Sequence, residues 1–384
     1  MTSLPTFPKR SPEPTRCESF ATRLLHTGHE LDPTTGAAAV PIYQVSMFDQ
    51  PSLEQPGEFD YARSGNPTRR ALEGVLASLD EAAGAFAFGS GMAAVSTVLM
   101  LFSAGDHLVV TDDCYGGTYR VLTRVFRRFG LDATFVDTSN PAAVRAAIRP
   151  NTRALLVETV SNPFLKRTDV PAMAEIAHQH KALLIVDNTF LSPYLSRPLT
   201  EGADIVVHSA TKYLGGHSDV VAGSVAVRTP ALAQEVYFLQ NAVGAVLGPQ
   251  DCFLLQRGIK TLQVRMERQV RTASALAQWL AERPEVREVF YPDTGAVVTF
   301  RLARDAMAAP FVQNLRLPLL GVSLGAVESI VTVPARHSHA SVPAAERERR
   351  GITEGLIRFS VGLEDLGDLS EDLALAFEAA RHVV

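Results

Sequence analysis

Cysteine is scarce in this sequence, which has three among its 384 residues. Cys17, Cys114 and Cys252 lie far apart and form no CxxC pair. This spacing argues against a disulfide framework and against a zinc site, and it is typical of proteins from a reducing compartment. We therefore expect a protein without a resident metal ion.

Long apolar runs and a charge imbalance are also lacking. No segment approaches the roughly 20 consecutive apolar residues that a transmembrane helix needs. Residues 1–16 contain four prolines and no apolar run, which predicts a disordered tail rather than a secretion signal. The net charge is −5 and the basic residues are scattered, so neither a nucleic acid nor a membrane is an expected partner. Together these absences favour a cytoplasmic protein.

What the sequence does contain is a regular alternation of short apolar runs and amphipathic segments. The runs predict strands at 85–88, 107–110, 133–136, 154–158, 183–186, 205–207 and 221–227. The segments between them predict helices at 91–102, 117–129, 141–148 and 170–180. An earlier helix should begin at Pro67, with Asn66 as its cap. Because single helices separate consecutive strands, we expect a mainly parallel sheet with helices on both faces.

The chain is longer than one hydrophobic core usually supports, so two domains are predicted. An extended N-terminal segment, residues 1–60, would precede a large α/β domain at residues 61–250. A smaller α+β domain is predicted at residues 251–384. Its expected strands are 286–291, 297–302 and 356–361, and its expected helices are 304–314 and 366–382, after a helical stretch at 250–280.

In an open parallel sheet, ligands bind at the carboxyl ends of the strands. The segments directly after the predicted strands should therefore meet in one crevice; they are 89–92, 112–117, 159–163, 187–189 and 209–212. Lys212 follows a buried strand, with the hydroxyls of Ser209 and Thr211 beside it. This combination can hold a phosphate next to an amine that forms Schiff bases. The alternative for a single lysine is a surface position in a polar loop.

Other residues of the crevice also allow two interpretations each. The Gly89-Ser90-Gly91 turn before a helix can bind an anion or be a plain turn, and it lacks the GxGxxG spacing of a nicotinamide dehydrogenase. Asp187 can form a turn or pair with a protonated ring nitrogen. Tyr115 can lie flat on a planar cofactor or pack as a half-buried side chain. Arg358 can bind a carboxylate with both guanidinium nitrogens or face solvent.

Seven segments of the sequence, in order and at compatible spacing, resemble one enzyme family. They are Tyr61-Ala-Arg63, Ser90-Gly91-Met92, Asp113-Cys-Tyr115-Gly, Glu158-Thr-Val-Ser-Asn162-Pro, Asp187-Asn-Thr-Phe, Ser209-Ala-Thr-Lys212 and Ser323-Leu-Gly-Ala-Val-Glu328-Ser. The sequence is similar to the transsulfuration family of pyridoxal-phosphate (PLP) enzymes, which includes the cystathionine β-lyases, γ-lyases and γ-synthases. The resemblance covers nearly the whole chain from about Thr22. The segments at 240–248 and 322–330 resemble bacterial cystathionine β-lyases in particular.

The resemblance implies a PLP-dependent protein of fold type I, whose large domain has a mainly parallel seven-stranded sheet. Lys212 would bind the cofactor covalently, Asp187 would pair with its ring nitrogen, Tyr115 would stack on the ring, and Asn162 would contact its 3′ oxygen. The resemblance assigns the phosphate to Ser90, Gly91, Met92, Ser209 and Thr211, together with Tyr61 and Arg63 from a neighbouring subunit. It assigns substrate binding to Arg120, Ser323, Glu328 and Arg358. A homo-oligomer, at least a dimer and usually a tetramer, is implied as well.

The resemblance also implies a reaction. A freed Lys212 would take the Cα proton of cystathionine, and β-elimination would give homocysteine, pyruvate and ammonia, with Tyr115 and Asp187 as further catalytic residues. The alternatives are a γ-synthase or γ-lyase, and a PLP-binding protein without catalysis. One departure concerns the substrate entrance: after Pro292 the chain enters its next strand at once, where many relatives have a longer helical insertion.

Overall fold

Two β-sheets organise the part of the chain that the computed structural model describes, residues 19–28, 35–340 and 342–381. The predicted tail at 1–16 and Cys17 lie outside these residues. The strands are β1 (Gly84–Phe88), β2 (His107–Thr111), β3 (Asp132–Val136), β4 (Thr152–Glu158), β5 (Leu183–Asp187), β6 (Ile205–His208), β7 (Gly223–Val227), β8 (Val286–Phe290), β9 (Val297–Leu302), β10 (Leu319–Leu320), β11 (Ile330–Thr332) and β12 (Leu356–Ser360).

The helices follow the predicted alternation through most of the chain. They are α1 (Phe20–His26), α2 (Pro67–Asp80), α3 (Gly91–Leu99), α4 (Gly116–Arg124), α5 (Pro141–Ala147), α6 (Val170–Gln179), α7 (Ser192–Leu195), α8 (Pro230–Val243), α9 (Pro249–Ile259), α10 (Leu262–Ala281), α11 (Ala308–Asn314), α12 (Ala344–Arg349) and α13 (Leu366–Arg381). Short 3₁₀ turns lie at Phe126–Phe129, Pro198–Glu201 and Asp305–Met307. Among the described residues, no helix has the length and apolar character needed to cross a bilayer.

The first sheet has seven strands in the order β1-β7-β6-β5-β4-β2-β3. Strands β3, β2, β4, β5 and β6 run parallel, and β7 is antiparallel to both of its neighbours, β6 and β1. This confirms the prediction of a mainly parallel sheet. The carboxyl ends of the parallel strands therefore lie on one edge, where the polar segments after β2, β4, β5 and β6 meet.

Helices cover both faces of this sheet. Successive residues of a strand point to opposite faces, so neighbouring residues of one strand pack against different helices. In β4, Leu155 and Val157 join one apolar cluster, with side chains from α2, α6 and α9. Ala154 and Leu156, which alternate with them, join a second cluster with side chains from α3, α4 and α8. Strands β4, β5 and β6 are largely apolar for this reason, as is typical of a parallel sheet buried on two sides.

The second sheet has five strands in the order β10-β11-β12-β9-β8, antiparallel except for the pair β10 and β11. Its core contains three phenylalanines: the rings of Phe311 and Phe377 stack with centroids 4.7 Å apart, and Phe300 meets both edge-on. Strands β10 and β11 were not predicted, because two and three residues are too few for a periodic pattern.

The predicted domain limits at residues 60 and 250 stay predictions.

The start of α2 confirms the capping prediction, since Asn66 Oδ1 accepts from the backbone nitrogens of Thr68 at 2.9 Å and Arg69 at 3.4 Å. The helical stretch predicted at 250–280 is instead two helices, α9 and α10, with a break at residues 260–261. At this break Thr261 Oγ1 donates to the Gly258 carbonyl oxygen at 3.2 Å, and Arg265 Nη2 donates to the same atom at 2.9 Å. Side chains satisfy one of the last carbonyls of α9, so the helix can end there.

A close backbone contact seats the loop that follows Lys212. Gly258 in α9 packs directly on Gly215, and a Cβ atom at Gly258 would collide with the Gly215 carbonyl oxygen and lie 3.0 Å from that of Leu214. The loop is further fixed by the hydrogen bond of 2.7 Å from the Gly216 nitrogen to the Lys212 carbonyl oxygen. Only glycine at position 258 allows this approach.

Substituting Gly258→Ala should destabilise the protein by about 2 kcal/mol, because the added methyl group must push two backbone segments apart. The matched control is Gly74→Ala, on the exposed face of α2, where a Cβ would meet no atom within 4 Å. The control should stabilise the protein by up to about 1 kcal/mol, since alanine is the better helix former. Urea unfolding measures both, and equal effects of the two substitutions would contradict the packing argument.

Candidate active site

A cavity of about 250 Å³ lies at the carboxyl edge of the first sheet. Each of the five segments predicted to meet there contributes to its wall, and β12 of the second sheet contributes Arg358. The predicted site residues that line it are Ser90, Gly91, Met92, Tyr115, Asn162, Asp187, Ser209, Thr211, Lys212 and Arg358. The sheet topology therefore brings together residues that are up to 268 positions apart in the sequence (358 − 90).

Lys212 lies in the cavity wall, where its Nζ donates a hydrogen bond of 2.8 Å to Ser323 Oγ. Burial, and secondarily the positive charge of Arg358, lower the pKa of the Lys212 amine from 10.5 to about 8. At neutral pH about a tenth of this amine is then unprotonated, far more than for a solvent-exposed lysine. An unprotonated amine is the form that attacks an aldehyde or accepts a proton from carbon.

Asp187 ends β5, and its carboxylate oxygen Oδ1 accepts from the backbone nitrogen of Thr189 at 3.0 Å and from the Thr189 hydroxyl at 2.5 Å. Burial raises the pKa of Asp187, while these two hydrogen bonds work in the opposite direction. Asp187 has no ion-pair partner among the described residues. A protonated ring nitrogen in the cavity would supply the missing positive charge.

A second buried pair stands behind Asp187. His208 Nε2 is 3.1 Å from Asp80 Oδ2, and both side chains are almost fully buried. Burial alone would lower the pKa of His208, but Asp80 outweighs it and the pKa is raised. His208 therefore tends to carry a positive charge, which partly offsets the cost of a charged Asp187. Sequence reasoning missed this pair, because nothing local links residues 128 positions apart.

The start of α3 forms a cradle for an anion. The first N–H groups of a helix have no acceptor within it, and here those of Gly91 and Met92 stand at the cavity. Ser90 caps the helix by accepting from the Ala93 nitrogen at 3.0 Å. A Cβ atom at Gly91 would lie 2.8 Å from the Cβ of Ser209, so only glycine lets these two segments approach. A phosphate fits this arrangement of N–H groups, helix dipole and hydroxyls.

Arg358 is buried, with 2% of its surface exposed. Its Nη1 donates to Asn162 Oδ1 at 3.0 Å, and its Nη2 donates to the Ser323 carbonyl oxygen at 3.0 Å and to Thr332 Oγ1 at 3.2 Å. Burial lowers its pKa to about 10. Among the described residues, no carboxylate pairs with this guanidinium, and its Nε has no hydrogen-bond partner. Such a group is prepared to bind an anion, and a substrate carboxylate is the natural candidate.

Tyr115 is 44% exposed and lies at the start of α4. Its backbone nitrogen donates to Glu158 Oε1 at 2.7 Å, which fixes the corner that carries the ring. A Cβ atom at Gly117 would collide with the Tyr115 ring, so this glycine makes room for the ring. Burial, together with the nearby charge of Asp187, raises the pKa of Glu158 well above its usual value. Glu158 was not predicted as a site residue, although its place at the end of β4 was a signal.

Other predicted site residues do not line the cavity. Ser323 stands next to it through its hydrogen bond with Lys212. Tyr61 is 46% exposed, and the guanidinium carbon of Arg63 lies 5.3 Å from its ring centroid. Arg63 Nε also donates to Asn241 Oδ1 at 3.3 Å. Arg120 and Glu328 are exposed and lie outside the cavity wall.

The residues present fit PLP, because the cavity combines an amine of lowered pKa, a buried carboxylate without a counter-ion, and a helix start with free N–H groups. Comparison with known proteins gives the same answer. The sequence profile of the family described as "Cys/Met metabolism PLP-dependent enzyme" matches residues 21–378.

The chain is 50% identical over 373 residues to the cystathionine gamma-lyase of Bacillus subtilis, covering 93% of this chain and 98% of that protein. It is 48% identical over 376 residues to the cystathionine beta-lyase MetC of the same organism, covering 94% and 96%. The structure of cystathionine gamma-lyase from Lactobacillus plantarum, complexed with L-serine, superposes with a TM-score of 0.93 at 44% identity, covering 95% of this chain and 100% of that one.

Substituting Lys212→Met should stabilise the cofactor-free protein at pH 7, by roughly 2 kcal/mol, because it removes a partly desolvated ammonium. The folded pKa of about 8 lies below the unfolded value of 10.5, so the unfolded state binds more protons between them. The stability of the unsubstituted protein therefore rises with pH across this window, and the advantage of Lys212→Met should shrink from pH 8 to pH 10.5.

Urea unfolding at a fixed protein concentration measures this difference. The control is Lys181→Met, at an exposed lysine outside the cavity wall, and the pH dependence of Lys212→Met is compared with that of this variant. A Lys212→Met difference that stays constant with pH would contradict the lowered pKa of this amine.

Proposed function

The chain belongs to the Cys/Met metabolism family of PLP-dependent enzymes, and from this premise we propose that it cleaves cystathionine by β-elimination. The Cβ–S bond breaks with its electron pair leaving on sulfur, and the Cα proton is removed. With one water the products are homocysteine, pyruvate and ammonia. The observation that carries the proposal is that Lys212, an amine with a pKa of about 8, and the buried guanidinium of Arg358, which has no carboxylate partner among the described residues, line the same cavity.

PLP supplies an electron sink that stabilises negative charge at Cα. Lys212 would hold it covalently, with Asp187 at its ring nitrogen, Tyr115 on the ring face and Asn162 at the 3′ oxygen. The start of α3, Ser209 and Thr211 would hold its phosphate. Support for these roles comes from the cavity wall that these residues share. Asp187, which ends a rigid central strand, would keep the ring nitrogen protonated, which is the condition for an efficient electron sink.

The residues of this chain would divide the remaining work. Arg358, whose guanidinium Ser323 and Thr332 hold in place, would bind the substrate α-carboxylate. Lys212 would take the proton from Cα, and the 2.8 Å hydrogen bond to Ser323 would orient its Nζ before the reaction. The same Nζ, now protonated, would return the proton to the departing sulfur.

The β-route is proposed because the segments at 240–248 and 322–330 resemble those of bacterial cystathionine β-lyases. β-Elimination removes one proton from carbon, whereas γ-elimination and γ-replacement also move a proton at Cβ. Lys212, with its pKa of about 8, would perform the proton transfer at Cα that both routes need. The alternatives are γ-lyase and γ-synthase activity; the relatives include enzymes of both kinds, such as the cystathionine gamma-synthase of Haemophilus influenzae at 43% identity.

A homo-oligomer is part of the proposal. Tyr61 and Arg63 lie outside the cavity of their own chain, next to an exposed apolar segment in which Met47 is 64% exposed and Leu53 is 97% exposed. Burying this segment against a second copy would remove apolar surface from water. It would also bring Tyr61 and Arg63 to the phosphate of the neighbouring subunit.

Incubating the purified holoenzyme with L-cystathionine should give pyruvate and homocysteine in equal amounts. Mass spectrometry of the products distinguishes this result from 2-oxobutyrate with cysteine, which indicates γ-cleavage. If neither pair forms, the holoenzyme should be offered an O-acylated homoserine with cysteine, and cystathionine formation would replace the proposal by the synthase alternative. Lys212→Ala should abolish turnover; retained turnover would revive a non-catalytic role for this lysine.

Arg358→Lys should lower kcat/KM for cystathionine by about 100-fold, because a lysine provides a single point charge where the arginine provides two aligned donors. The matched control is Arg287→Lys on β8 of the same sheet, where the side chain is exposed, and its kcat/KM should stay within about twofold. Steady-state kinetics measures both variants. Equal kcat/KM values would argue against Arg358 as the carboxylate site.

A further inference from the structure

A buried ion pair lies behind the active-site cavity and outside its wall. His208 is the last residue of β6, and Asp80 is the last residue of α2. His208 Nε2 lies 3.2 and 3.1 Å from the two carboxylate oxygens of Asp80, and each side chain is 1% exposed. Neither residue lines the cavity, so any effect of the pair on the cofactor must pass through another residue.

The register of the first sheet places this pair beside Asp187. Strands β5 and β6 are parallel neighbours, and Asp187 lies opposite Val207, the residue before His208. A hydrogen bond of 2.9 Å from the Asn188 nitrogen to the Val207 carbonyl oxygen continues the pairing past Asp187. Because neighbouring strands lie about 4.8 Å apart, His208 and Asp187 end adjacent strands at the same edge of the sheet.

His208 and Asp187 act on each other electrostatically. Burial lowers the pKa of His208, but the carboxylate of Asp80, and then that of Asp187, outweigh burial and raise this pKa from its usual 6.5. Burial raises the pKa of Asp187, and the charge of His208 works against that rise. On β7 the residue opposite His208 is Ser224, which carries no charge. On β4 the residue opposite Asp187 is Glu158, whose pKa burial raises well above its usual value, which favours its neutral form.

Stability alone does not explain this pair. Taking two charges out of water is costly, and replacing a buried ion pair by apolar side chains is often neutral or stabilising. Asp80 also lies at the carboxyl end of α2, where the helix dipole disfavours a negative charge. The position of the pair therefore indicates a role in setting the charge of Asp187.

From this geometry we propose that Asp80 and His208 are positioning residues for PLP: the buried imidazolium holds Asp187 in the carboxylate form that a protonated ring nitrogen requires. The inference rests on the role of Asp187 proposed above. With PLP bound, Asp80, His208, Asp187 and the ring nitrogen alternate in charge and are neutral together. Without the charge of His208 the same series has one excess negative charge, so the proton of the ring nitrogen moves to Asp187.

Nitrogen-15 NMR of holoenzyme reconstituted with PLP labelled at the ring nitrogen tests the proposal, because the chemical shift distinguishes a protonated from an unprotonated pyridine. In the unsubstituted enzyme this nitrogen should stay protonated across the neutral pH range. His208→Gln keeps a hydrogen-bonding side chain but removes the charge, and it should move the shift towards the unprotonated form. It should also raise the Kd of PLP about tenfold, because a lost neighbouring charge changes a pKa by about one unit or more.

The matched control is His178→Gln, at a second Asp–His pair of the same sheet. His178 Nε2 is 2.9 Å from Asp204 Oδ2, but Asp204 directly precedes β6 and therefore lies at the opposite edge from Asp187. The control should leave the ring nitrogen protonated and the Kd of PLP within about twofold. Asp80→Asn has the shape of the original residue without its charge, and it should give the same changes as His208→Gln.

A second readout needs no cofactor. NMR of the cofactor-free protein, with its 10 histidines labelled at ring carbon Cε1, follows the charge of each imidazole, and the signal lost in His208→Gln belongs to His208. This imidazole should titrate above pH 6.5, because Asp80 raises its pKa. In Asp80→Asn it should titrate at a lower pH, since burial then acts without the neighbouring carboxylate.

Three results would overturn the proposal. A His208 signal that titrates below pH 6.5 in the unsubstituted protein removes the cation. A ring nitrogen and a Kd of PLP that change in Asp187→Asn, but not in His208→Gln and Asp80→Asn or equally in His178→Gln, reject the pair and leave the role of Asp187 intact. An unchanged ring nitrogen in Asp187→Asn rejects that role and this inference with it. None of these measurements needs turnover, so a failure of β-elimination is detected separately from the products of cystathionine.

Discussion

The hydrogen bond of 2.8 Å between Lys212 Nζ and Ser323 Oγ joins the two halves of the active site. Lys212 follows the interior strand β6 of the first sheet, whereas Ser323 lies between β10 and β11 of the second. Arg358 makes the complementary connection, from β12 to Asn162 after β4. These two contacts, together with the backbone hydrogen bond of 2.9 Å from Val327 to the Gly216 carbonyl oxygen, connect the carboxyl edge of the first sheet to the loops and the central strand of the second. Any change that separates the sheets would disperse the reacting groups.

The site concentrates buried charge that the protein itself only partly neutralises. Burial raises the pKa values of Asp187 and Glu158 and lowers those of Lys212 and Arg358. Such groups reduce stability when they stand alone, and perturbed pKa values of this kind are typical of functional sites. In the proposed function, PLP and the substrate would supply complementary charges: a ring nitrogen for Asp187 and a carboxylate for Arg358. The free energy that these unpaired buried charges cost the empty cavity would therefore be regained when PLP and the substrate bind.

Much of this arrangement followed from the sequence, and the reasons are physical. The apolar runs predicted the strands of the first sheet, and the rule that parallel strands end on one edge predicted that Asp187 and Lys212 would meet. The same reasoning could not find His208 as the partner of Asp80, because their contact depends on how α2 packs against the sheet. Nor could it find β10 and β11, which are too short for a period, or the helix break after Ile259, which arises from tertiary contacts of Thr261 and Arg265. The roles of Arg120 and Glu328 stay predictions.

The central claim is that the amine of Lys212 is the covalent anchor of PLP in this cavity. Borohydride reduction of the purified holoenzyme, followed by proteolysis and mass spectrometry, tests it most directly, because reduction makes the linkage permanent. The account predicts the added phosphopyridoxyl mass on the peptide that contains Lys212 and on no other. The mass on a peptide containing Lys181 or Lys260 instead, or on none, would contradict it.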